Sequence, residues 1–153
     1  MGILPDVFMA TEREVLAAPF DRHSPGELFP TLEAKGLTTL EWTCLEMVIH
    51  HEDPDALETK TFVARADWPQ VGDWGDEIWI HRLPDALVAA LAALPAEEAA
   101  PTVSRWLRTE QMRSSVPSAI DQEDWLTDYL RQLARLAGQA LADKRALYLW
   151  ISL

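Results

Sequence analysis

The stretch ALYLWISL, residues 146–153, is almost wholly apolar. A run of that length and character suits a strand buried on both faces, in the middle of a sheet. Immediately before it, residues 121–143 carry the longest helical pattern in the chain. Trp125, Tyr129, Leu133, Leu136 and Ala140 recur at spacings of four, four, three and four, with Leu126, Leu130, Ala137 and Leu141 beside them. That is the broad apolar face of a helix packed on a core.

The other end of the chain opens in the same terms. DVFMA, residues 6–10, reads as a short strand, and Thr11 with Glu14 forms a capping box that starts a helix running to about Ala18. Residues 19–37 are rich in proline and glycine and are expected to be mostly loop, with TLEA as an edge strand. Thr38 with Glu41 makes a second capping box, opening a helix that must end near Glu52 because Pro54 disfavours helical geometry at Asp53.

TKTFVARAD (59–67) and EIWIHRL (77–83) alternate in polarity and are predicted to be two strands. The connection WPQVGDWGD has a length suited to a hairpin loop, so the pair is expected to be antiparallel. Pro84 should begin a helix to about Leu94, Pro95 and Pro101 should break or kink the chain beyond it, and TVSRWLRTEQM should continue as helix to about Met112. SSVPSA reads as loop.

The predicted fold is α+β. A small mixed or antiparallel sheet, including a hairpin at about 59–83 and a buried C-terminal strand, packs against four to five helices, with both chain ends supplying strands to one sheet. At 153 residues a single domain spanning 1–153 is the default. The longest apolar run, ALVAALAALP from Ala86 to Pro95, is far short of the roughly 20 residues that cross a bilayer. The opening MGILPDVFMATERE has no basic leader ahead of a long apolar region, so no secretory signal is expected. A single cysteine allows no intrachain disulfide and agrees with a reducing compartment, here a cytoplasm. Arginine and alanine outnumber lysine and isoleucine, a usage typical of GC-rich bacterial genomes.

Charge is the most unusual bulk property. The net charge is -12, and it is unevenly spread: residues 1–77 hold five bases against 16 acids, residues 78–153 eight against nine. A negative field of that kind repels nucleic acid and anionic membranes, so neither is expected as a partner, and it favours a basic protein.

Chemical signatures are few. EWTCLEMVIHHED, residues 41–53, holds the only cysteine, two adjacent histidines and four carboxylates. On a 3.6-residue period Trp42, Leu45, Val48 and Ile49 form one apolar stripe with Cys44 and Met47 at its margins, so Cys44 reads as a small buried hydrophobe. His50 and His51 fall in the last turn, where helix-end carbonyls favour them, and Glu46 lies one turn before His50 as an i,i+4 partner. As an alternative, a metal site or small enzyme centre would draw on Glu46, His50, His51 and Asp53 or Asp55, with remote His81. Consecutive helical residues diverge by about 100°, which works against both histidines serving together.

Trp68, Trp74 and Trp79 are interleaved with Asp67, Asp73, Asp76 and Glu77 and no base. Two arrangements fit. Trp68 and Trp74 could stand out with Asp73, Asp76 and Glu77 as an aromatic surface with an acidic rim, joined by Glu52, Asp53 and Asp55, to bind a basic partner. Alternatively the indoles pack down onto the sheet and cover its edge. Arg105, Arg108 and Arg113 on the outer face of a helix could meet an acidic surface of a second copy, which would make a homo-oligomer. No glycine-rich phosphate loop, Gly-x-Ser-x-Gly or Ser-x-x-Lys is present, so nucleotide-binding and serine hydrolase classes gain no support, and no cofactor is expected.

MGILPDVFMAT at one end, the long helix leading into ALYLWISL at the other, and EAKGLTTLEWTCLEMVI between them resemble bacterial families of small uncharacterised proteins, the YfbM-like group among them. The resemblance implies an α+β bacterial cytosolic domain and carries no catalytic residues with it. The best reading of function is an acidic protein-binding domain, such as an immunity-type inhibitor of a cationic toxin.

Overall fold

The computed structural model describes residues 4–34, 36–115 and 122–153. The apolar run near residue 150 does take the interior place in the sheet. Strand β4 (Ala146–Ser152) pairs antiparallel with β1 (Leu4–Ala10) on one side and with β3 (Ile78–Arg82) on the other. β2 (Thr31–Glu33) adds beyond β1 as an edge strand, giving the order β2-β1-β4-β3. The two ends of the chain are thus neighbours in one antiparallel sheet.

Because side chains alternate along a strand, β4 feeds two cores. Leu147 and Leu149 join Val7 and Met9 on one face, and Tyr148 and Trp150 join Phe8, Ala10 and Ile80 on the other. Leu147, Tyr148 and Leu149 are fully buried, each apolar side chain contributing about 1.5–3 kcal/mol. The first face is covered by α3 (Thr39–Ile49), α5 (Asp85–Ala92), α6 (Ala99–Leu107) and α8 (Glu123–Ala142). The second is covered by Val15 of α1 (Glu12–Ala17), by Phe20, by Phe29 after α2 (Pro25–Leu28), and by Val71 and Trp74. The fold is α+β, with eight α-helices among the described residues where four to five were expected. No single helix among the described residues is long and apolar enough to cross a membrane.

The hairpin expected at 59–83 does not form. Its first half is the helix α4 (Thr59–Ala66), in which only Phe62 and Ala66, four residues apart, are buried. The β-branched content that suggested a strand counts for less than a partner surface, and α4 packs on α3. The edge of β3 is instead touched by a short piece of loop. Gln70 bridges His81, and the Val71 N–H donates to the Ile80 carbonyl at 2.8 Å.

Both capping boxes are in place. The Glu14 N–H donates to Thr11 Oγ1 at 3.2 Å and the Thr11 N–H to Glu14 Oε1 at 3.0 Å. The Thr38 N–H donates to Glu41 Oε2 at 2.6 Å. Helix α3 is buried on every side from Glu41 to Val48, because α4, α5, α6 and α7 (Glu110–Ser115) all pack on it. Its expected stripe therefore has no wet margin: Cys44 and Met47 are as buried as Trp42.

The helix expected to run from 102 to 112 is divided. Thr109 Oγ1 donates to the Trp106 carbonyl at 2.6 Å, and Asp55 Oδ1 reaches in to accept the Glu110 N–H at 2.9 Å. Those side chains end α6 and start α7. Pro101 lies in the first turn of α6, where it removes no helical hydrogen bond. Ser114 and Ser115 of the expected SSVPSA loop close α7, and residues 116–119 lie outside the described residues.

Candidate functional site

The cluster EWTCLEMVIHHED comes apart in three dimensions. Cys44 is fully buried and its thiol donates to Thr109 Oγ1 at 3.2 Å. Burial pushes the thiol up to about 11; the Thr109 bond opposes this, and the charges of Asp55 and Glu41 add to it. At pH 8 about one thiol in a thousand is then ionised. Cys44 should therefore react with an aromatic disulfide reagent at least about a hundredfold more slowly in native protein than in urea. Comparable rates in the two conditions would show that the thiol is accessible and activated.

Helix α3 ends at His50 through a paired cap in which the His51 N–H donates to the Val48 carbonyl at 3.1 Å and the Glu52 N–H to the Met47 carbonyl at 2.9 Å. His51 sits at φ 58, the left-handed position that glycine usually fills in such a cap. Both histidines are exposed. Glu46 turns from His50 to Arg65 of α4, at 3.8 Å, and Arg65 also holds Glu52 through two hydrogen bonds at 2.9 and 3.2 Å. Arg65 keeps the Glu52 carboxyl below the usual carboxylate range. Asp53 accepts the Asp55 N–H, Asp55 caps α7, and His81 Nδ1 lies 2.9 Å from the Trp68 carbonyl. Glu46, His50, His51, Asp53 and His81 are not brought together, and no three His, Cys, Asp or Glu side chains among the described residues are placed to hold a metal ion.

Trp68 and Trp74 pack down rather than out, which removes the exposed aromatic surface expected of them. Trp68 is 3% exposed and belongs to the helix-covered core, whereas half-buried Trp74 packs on the opposite face with its ring edge-on to Phe20 at 5.2 Å. The Trp74 indole N–H donates to the Val71 carbonyl at 3.0 Å, closing the loop on itself. Gly72, at φ 73, lies under that indole, and a Cβ there would fall 2.8 Å from Trp74 Nε1. Only glycine meets both the sign of φ and the close approach. Pinned at both ends, the loop presents Asp67, Asp73, Asp76 and Glu77, all exposed and none with an ion pair among the described residues. Of the other acids expected to contact a partner, Glu52 and Asp55 are held by internal bonds, and Asp53 holds the turn at Pro54–Ala56.

Arg105 is half-buried, with one guanidinium nitrogen 3.4 Å from Thr102 Oγ1, so the row of outward arginines reduces to exposed Arg108 and Arg113.

A second feature has no single motif behind it. Two adjoining clefts, of about 470 and 540 Å³, share Glu12, Arg82 and Asp85 as their common wall. The larger one lies where the start of β4, the end of β3, the first turn of α1, α5 and the end of α8 converge. Tyr148 lines it, fully buried, and its hydroxyl has no hydrogen-bond partner among the described residues. Lys144 and Arg145 close one side. They come directly after α8, Lys144 occupying a left-handed cap position at φ 54. The one sequence signal for this cleft is an adjacent lysine and arginine in a very acidic chain, beside a tyrosine in an otherwise apolar strand.

Compared with protein-family models, with curated proteins and with solved structures, the chain matches none of them.

Proposed function

We propose that this protein works by binding a basic protein surface through the loop at 67–77, as an immunity-type inhibitor would bind a cationic enzyme. The observation that carries this reading is the pinned loop. Four exposed carboxylates stand on a backbone held at Trp68 from one face of the sheet and at Trp74 from the other, and no cation among the described residues neutralises them. A rigid acidic edge loses little conformational freedom on association, and complementary charge speeds encounter with a basic partner. The net charge of -12 extends the attraction beyond the loop. The resemblance to small bacterial cytosolic proteins is compatible with such a role and specifies no partner.

The test is capture of a partner from a bacterial host lysate at low salt, with Asp73→Asn, Asp76→Asn and Glu77→Gln combined as the comparison. The wild-type protein should retain a basic protein that salt releases, and the triple variant should retain at least about tenfold less at an unchanged melting temperature. A lysate that yields no basic protein at low salt, or a partner held equally by the variant, counts against the reading.

A further inference from the structure

We propose that the basic partner of the acidic loop is anchored by an arginine whose guanidinium stacks on Trp79 and pairs with Glu77. This rests on residues 67–77 being a docking edge, and it names the side chain that the edge receives. Of the seven tryptophans, six belong to the two cores or pack against them, and Trp79 alone does neither. It is half-buried, and among the described residues its indole has no hydrogen-bond acceptor and stacks on no other ring.

The register shows what surrounds it. Ile78 and Ile80 turn to the Tyr148 face, so Trp79 turns to the other, directly across from Ile151 of β4. The ladder continues past the end of β3, where the Leu153 N–H donates to the Glu77 carbonyl at 3.1 Å. Glu77, two residues before Trp79, and Leu153, two after Ile151, therefore share the face of that pair. Leu153 is 57% exposed, more than any other large hydrophobic side chain among the described residues. The sheet thus ends in an apolar corner of Trp79, Ile151 and Leu153 with a carboxylate beside it.

Charge selects the occupant. No lysine or arginine occurs from residue 66 to residue 81, and Glu77 has no ion pair among the described residues. His81, two residues further along the same face, has its Nδ1 2.9 Å from the Trp68 carbonyl. An indole face attracts cations, and arginine uses it more often than lysine does. The flat guanidinium can lie on the ring while its N–H groups meet the carboxylate, and the methylenes of the same side chain cover Ile151 and Leu153.

The test is NMR titration of the full chain with hexa-arginine at low salt, with hexa-lysine as the companion, reading the tryptophan indole N–H resonances. The Trp79 resonance is identified by its loss in Trp79→Leu. Hexa-arginine should move it more than the other six, whose rings are packed into the cores, and should bind at least about threefold more tightly than hexa-lysine. Trp79→Leu should erase that preference with every carboxylate intact, and Trp79→Phe should keep part of it. An unmoved Trp79 resonance, equal affinity for the two peptides, or a preference that survives in Trp79→Leu would each overturn the proposal, and the first two are read on the wild-type protein. Asp73→Asn, Asp76→Asn and Glu77→Gln combined separate this inference from the reading beneath it. If that variant loses hexa-lysine while the arginine preference ignores Trp79, the acidic loop stands and only the anchor falls. Hexa-lysine held equally by that variant counts against the loop itself and so against the anchor.

Discussion

Truncating Trp106 to alanine is expected to lower folding stability by about 3–5 kcal/mol, the usual cost of removing a large aromatic from a closed core. Trp106 is 1% exposed and sits between α3 and α8. Its ring lies 5.9 Å from Trp42, which in turn lies 6.0 Å from Tyr129, and its indole N–H donates to the Glu41 carbonyl at 3.2 Å. Neighbours drawn from several helices cannot all close on the space left behind. Trp106→Phe keeps the ring contact and loses the hydrogen bond, so its loss should be clearly smaller. Urea unfolding of the three proteins measures this, with the midpoint shifting while the slope stays constant. A loss under about 1 kcal/mol for the alanine variant would mean that the aromatic row does not hold the helices together.

Glu41→Ala should cost about 2–4 kcal/mol, a large effect for a residue of a charged type. Glu41 is 3% exposed, and both its oxygens serve as acceptors. Oε2 takes the Thr38 N–H and hydroxyl, each at 2.6 Å, and Oε1 takes the Gln111 amide at 2.9 Å and the Ser115 hydroxyl at 2.6 Å. Alanine would leave those donors without their acceptor at a partly buried junction between α3 and α7. Glu41→Gln retains one acceptor oxygen but places an amide donor against other donors, so an intermediate loss is expected. Urea midpoints again provide the measurement, and an alanine variant as stable as wild type would sink this account of the junction.

Glu41 shows how much of a site can be read from sequence. Its partnership with Thr38 is legible, because a capping box is a pattern within four residues. Its bonds to Gln111 and Ser115 are not, because nothing local links positions about seventy residues apart. The histidines behave in the same way. Their place at a helix end comes from Pro54, but the choice of Arg65 over His50 as the partner of Glu46 depends on α4 being a helix. That helix escapes a reading of the sequence because an eight-residue segment with alternating polarity is ambiguous until its partner surface is known.

The tryptophan loop is half legible. Its acidic character is in the sequence, and packing onto the sheet is one of two arrangements the residues allow. That Trp68 and Trp74 lie on opposite faces, so that they anchor the loop rather than form one surface, needs the tertiary structure.

What the sequence determined by itself is what short-range physics controls: two capped helix starts, an amphipathic helix before an apolar strand, that strand's interior place in the sheet, and the strong negative charge. The tertiary structure decided whatever depends on a distant partner. It turned 59–66 into a helix against α3, cut the helix at Thr109 with a carboxylate from Asp55, and assembled a cleft of mixed charge from five elements. The difference is physical. A turn of helix closes its hydrogen bonds within a few residues, whereas a cleft exists only after separate elements have packed.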